Sequence, residues 1–81
     1  MRARIETAEY AFAHGRAPRG RGCWAFRLRR PDGTIVPAED GGEAHFAPGE
    51  RLYSDAAAWA RWRARVLGAS AIMVLPRLIV Y

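Results

Sequence analysis

The chain is 81 residues long, and all thirteen of its basic residues are arginine. Eight acidic residues leave a formal charge of +5, and 51 % of the residues are apolar. That length fits one domain spanning 1–81 and excludes the large cofactor-binding folds, while the apolar content excludes a disordered tail.

Arg4 to His14 reads as a strand, because Ala8, Tyr10 and Phe12 alternate with Thr7, Glu9 and Ala11 at the period of two of a half-buried strand. His14 to Gly22 is a loop with three Gly, one Pro and three Arg; nine residues is long for a hairpin connection. Cys23 to Arg30 is the clearest strand. Trp24, Phe26 and Leu28 share one face, and Cys23, Ala25, Arg27 and Arg29 share the other. Pro31-Asp32-Gly33 is a turn, in which Pro presets φ and Gly supplies a positive φ. A third strand follows at Thr34–Val36 and is stopped by Pro37. Glu39 to Glu43 is an acidic loop, with short extended pieces at Ala44–Ala47 and Arg51–Tyr53.

Ser54 is placed to cap a helix that runs to about Leu67, with Gly68 just past its end. At 100° per residue, Trp59, Trp62 and Val66 cluster, Ala56, Ala60 and Leu67 extend that sector, and Arg61 and Arg65 oppose it. Arg63 falls inside the apolar sector, so it must snorkel outward or meet a carboxylate. Ala71–Leu75 is a short continuous apolar run, consistent with a buried strand, and Leu78–Tyr81 is a second.

These elements predict an α+β fold: a two-layer β-β-β-α-β domain whose mostly antiparallel sheet has the helix packed on one face. The last strand runs parallel to the first and sits beside it at the sheet edge, in the order 4-1-2-3. The second sheet face, carrying Arg27 and Arg29, is left open.

Sixteen alanines accompany the thirteen arginines. That pairing marks a GC-rich bacterial or phage genome and accounts for the absence of lysine, but not for where the arginines sit. Residues 1–30 carry a net +6, residues 31–55 a net −5 and residues 56–81 a net +4. Arg16, Arg19, Arg21, Arg27, Arg29 and Arg30 fall within fifteen residues that contain no acid. Guanidinium forks and the backbone N–H groups of an Arg-Gly-Arg-Gly tract both suit phosphate oxygens. These six arginines are the candidate nucleic-acid-binding residues, with DNA favoured over RNA as partner. About five phosphate contacts on duplex DNA would give a log–log salt slope of roughly −4 to −5.

Gly22-Cys23-Trp24-Ala25-Phe26-Arg27, then Pro31-Asp32-Gly33-Thr34, then Tyr53-Ser54-Asp55-Ala56-Ala57-Ala58-Trp59 together resemble the AP2-like arm-binding domains of phage integrases. In that family a Gly-x-Trp strand and an Asp-Gly turn precede a further strand and a helix entered at Thr or Ser. The resemblance covers about residues 20–65. It implies a three-stranded sheet that reads DNA.

The competing class is a phage- or plasmid-type protein-interaction or inhibitor module. It would act through the open sheet face or an edge strand, with Leu78, Val80 and Tyr81 as the candidate dimer edge. Enzymatic function is not expected: His14 and His45 are the only imidazoles and Cys23 the only thiol, and no third catalytic member accompanies them. Cofactors and a metal site are likewise not expected. One cysteine cannot form an internal disulfide, the N-terminus lacks an apolar signal region, and the apolar runs are far short of the roughly 20 residues of a membrane span. A cytoplasmic protein is the expectation.

Overall fold

Trp24, Phe26 and Leu28 alternate with more polar neighbours, and that face becomes the centre of the core. A computed structural model of the protein describes residues 3–76. The elements in chain order are β1 (Arg4–Glu6), α1 (Ala8–His14), β2 (Arg21–Gly22), β3 (Ala25–Arg29), β4 (His45–Phe46), β5 (Arg51–Leu52), α2 (Tyr53–Leu67) and β6 (Ala71–Val74). The main sheet has the order β1-β6-β3-β4, and β2 and β5 form a separate two-stranded pair. β6 is parallel to β1 and antiparallel to β3, which is antiparallel to β4. The fold is therefore α+β, with a mostly antiparallel sheet and α2 packed on one face.

Besides β2, whose residues Arg21–Gly22 fall in the expected loop, the element order differs from the sequence reading in three places. Arg4–His14 is not one strand: it divides into β1 and α1. Ala and Glu are strong helix formers, and the Ala8–His14 segment turns Tyr10 into the core while leaving Phe12 93 % exposed. Gly15, at φ 72°, ends α1 and donates to the Ala11 carbonyl at 2.7 Å. Thr34–Val36 is reduced to an isolated Arg29–Ile35 bridge, with the Val36 N–H donating to Leu28 O at 2.8 Å.

The third correction concerns β6, which lies between β1 and β3 rather than at the edge. All four of its residues are buried. A strand apolar on both faces is stable only where ladders flank it on both sides.

In register, Phe26 faces Val74, Leu28 faces Ile72, and Ile5 faces Ile72. Phe26, Leu28, Ile72 and Val74 are fully buried. Above them sit Ala56, Ala60 and Ala64 of α2, each at 0 % exposure. These alanines recur every four residues, so they line one helix face. Small side chains let the helix backbone approach the sheet closely. Trp62 and Val66 are consequently turned out, at 48 % and 59 % exposure. The expected Trp59–Trp62–Val66 stripe is thus not the buried face; only Trp59 reaches the core, 6.3 Å from Phe26 between ring centres.

Ser54 does not cap α2. Leu52 holds that position without a side-chain bond, and the Tyr53 N–H donates to Gly20 O at 2.9 Å. Gly68, at φ 78°, closes the helix as its sequence position implied. Leu78, Val80 and Tyr81, the candidate dimer edge, lie outside the described residues. Among the described residues no helix is long and apolar enough to cross a membrane.

The Arg30–Thr34 turn contains a pH-sensitive contact. Asp32 accepts from Thr34 Oγ1 at 2.7 Å and from the Thr34 N–H at 2.9 Å. Those bonds, the side-chain bond first, hold its carboxyl below the ordinary value of 3.8. A lowered folded-state pKa stabilises the fold above the unfolded value, and this contribution is lost as pH falls through the folded value. Asp32→Ala is therefore expected to lower the denaturation midpoint near pH 6, with the deficit shrinking as pH falls into the acid range. A deficit independent of pH would remove the charged hydrogen bonds as its cause.

Candidate nucleic-acid interface

The two basic blocks and the acidic block are partly paired by folding and partly kept apart. On the sheet face opposite α2, the registers Glu6–Met73–Arg27 and Arg4–Ala71–Arg29 run across three strands. Inserting β6 there places glutamates within reach of the β3 arginines. Arg29 Nη2 lies 3.3 Å from Glu6 Oε2, which also takes Arg4 Nη2 at 2.9 Å. Arg27 Nη1 lies 3.3 Å from Glu9 Oε2 on α1, and its Nε lies 3.3 Å from Glu43 Oε1. The Nε–Glu43 contact is an ion pair without hydrogen-bond geometry, since that Nε is buried and makes no hydrogen bond. Ala25, Ala71 and Met73, on this same face, are buried.

This face is therefore not the open, uncompensated surface expected from the sequence. A phosphate approaching Arg27 or Arg29 would have to displace a carboxylate already in place. Arg30 donates to Thr34 Oγ1 at 3.2 Å at the end of its turn. Of the six candidate arginines, these three are tied to the sheet and its turn.

Arg16, Arg19 and Arg21 differ. All three are exposed, Arg16 and Arg19 on the loop between α1 and β2 and Arg21 at the start of β2, and no carboxylate is paired with them among the described residues. The loop is anchored at three points: Pro18 is buried, Gly20 O holds the start of α2, and Arg21 pairs with Leu52 in the β2–β5 ladder. Arg21 Nη1 donates only to the Glu50 carbonyl, at 3.4 Å. Trp24 Nε1 donates to Arg51 O at 3.1 Å, fixing the same corner from within.

Two further cations without a carboxylate partner lie outside the six candidates. Arg61 and Arg65 on α2 make no ion pair among the described residues. Arg61 lies near Tyr53: burial pushes that phenol above its ordinary value of 10.0, and the Arg61 charge works against the rise. The signal available in the sequence was the lack of any acid from Ala56 to Leu67. Arg63 is accounted for structurally. Its Nη2 lies 3.8 Å from Glu39 Oε2, and its guanidinium carbon lies 5.9 Å from the centre of the Trp59 ring.

Two clefts meet at Trp59 and Trp62. One, of about 670 Å³, is lined by Arg21, Arg51, Glu50, Asp55 and Ala58 together with the two rings. The other, of about 470 Å³, adds Glu39, Asp40, Phe46 and Arg63 to them. His14 stacks on Tyr10 at 4.2 Å, and His45, in the wall of the smaller cleft, is buried and donates from Nε2 to Val36 O at 3.0 Å. Cys23 is exposed. No family model matches the chain, and neither a curated protein nor a solved structure matches it.

Proposed function

We propose that the protein binds nucleic acid, DNA in the first place, by electrostatic contact with the phosphate backbone through Arg16, Arg19 and Arg21. The observation that supports this reading is that these three cations are exposed and make no ion pair among the described residues, on an anchored segment, while Arg27 and Arg29 already have carboxylates. An anchored loop loses less freedom on binding than a floppy one, so more of each phosphate contact appears as affinity. The acidic residues nearest the loop, Glu50 and Asp55, make no ion pair among the described residues, and they limit the net field at this corner.

A second reading, docking onto a protein as an interaction or inhibitor module, is favoured by Phe12, which projects from α1 at 93 % exposure. Fluorescence anisotropy with random duplex and single-stranded DNA at two salt concentrations separates the two readings. Binding that weakens with salt is the expected result. No binding at low salt, or binding indifferent to salt, would remove the nucleic-acid reading.

A further inference from the structure

The clefts beside Trp62 extend the arginine loop into a longer surface. Trp62 is 48 % exposed on a helix whose buried face is made of alanine. Trp59, one turn earlier on the same side, is half-buried against Phe26 and braces the floor between the clefts. Arg21 and Arg51 share the larger cleft with these rings. Arg65 is exposed three residues beyond Trp62, which places it beside that ring on the helix surface. From Tyr53, held by the arginine loop, to Arg65 is twelve residues, or about 18 Å of helix. Cations therefore stand at both ends of an exposed indole. Glu50 and Asp55 offset Arg21 and Arg51 inside that cleft, and Glu39 and Asp40 outnumber Arg63 in the other, so the net attraction must come from Arg16 and Arg19, on the segment that leads into Arg21, and from Arg65.

We infer that the ligand of this surface is single-stranded nucleic acid, with a base stacked on Trp62 and the flanking phosphates on the Arg16–Arg21 loop and Arg65. The inference rests on the nucleic-acid reading and narrows it. A duplex hides its base faces within the helical stack, so it could use the arginines but not the indole. An unpaired base presents a π-face to any exposed aromatic ring, whatever the sequence.

The probes are a fifteen-nucleotide thymidine oligomer, the corresponding uridine oligomer and a duplex of the same length, each titrated at low salt. The single strands are expected to bind more tightly than the duplex and to quench tryptophan emission. Trp62→Ala should weaken single-strand binding about 5- to 150-fold while leaving duplex binding unchanged. Trp62→Phe should restore part of the loss, because a smaller ring still stacks. Unchanged single-strand affinity in Trp62→Ala overturns the inference, and so does a duplex bound as tightly as the single strands. In either case salt-dependent binding lost in Arg19→Ala would still support the broader reading. Failure of all three probes to bind would remove both. Self-association by sedimentation that is lost in Trp62→Ala, with single-strand affinity intact, would overturn the inference and assign the surface to a second copy of this chain.

Discussion

Phe26→Ala is expected to cost about 3–5 kcal/mol, whereas Trp62→Ala should cost only about 1–2 kcal/mol. Phe26 has no exposed surface and lies between Val74 across the ladder and Trp59 on the helix. Its removal leaves a cavity under α2 that Ala56, Ala60 and Ala64 are too small to fill. A domain of this size has roughly 5–10 kcal/mol in total, so the variant should populate the unfolded state measurably. Trp62 is the larger side chain and, judged by hydrophobicity alone, would be the more damaging loss. Its ring, however, is already half in water. Urea denaturation followed by far-ultraviolet circular dichroism measures both. Comparable losses for the two variants would mean that α2 sits on its tryptophan stripe and not on its alanines. Ala60→Leu tests the same contact from the other side, since overpacking a closely seated helix costs about 1–3 kcal/mol.

The triple variant Arg16→Ala/Arg19→Ala/Arg21→Ala is expected to abolish most of the salt-dependent binding while leaving the melting temperature within error. Three phosphate contacts on duplex DNA contribute a log–log slope of roughly −3, equivalent to about 40-fold in affinity between 50 and 200 mM salt. The variant should flatten that dependence. Arg27→Ala/Arg29→Ala should behave in the opposite way. It removes the partners of Glu9 and Glu43 and one of the two partners of Glu6, so the melting temperature should fall while the salt slope stays near that of the parent. Anisotropy titrations at several salt concentrations, paired with thermal melts, read both quantities on the same samples. A flat slope in the β3 pair and an unchanged slope in the loop variant would transfer the binding role to the sheet face.

The contrast between those arginines shows what can be read locally. Trp24, Phe26 and Leu28 announced a core face by alternation, and the face is buried as expected. The turn at Pro31–Gly33 and the helix end at Gly68 followed from residue chemistry, because the φ of Pro and of Gly is a property of one residue. The six clustered arginines were equally visible, but their availability was not. Glu6 and Glu9 are twenty or so residues from Arg29 and Arg27 in the chain, and only strand pairing makes them neighbours. Ala8–His14 was ambiguous for a related reason. A seven-residue segment with one large inward residue fits either period, and the helix is selected by where Tyr10 can meet Trp24, at 5.5 Å.

The sequence by itself determined the α+β class, the position of α2 and its end, the β3 core face and the uneven distribution of charge. These depend on periodicity, turn chemistry and composition, which act over a few residues. The central place of β6, the seating of α2 on Ala56, Ala60 and Ala64 in preference to Trp62 and Val66, and the division of the arginines into paired and unpaired sets were settled only by the tertiary fold. Each of these depends on which surfaces approach closely enough to exclude water, and that distance is set by side chains far apart in the chain.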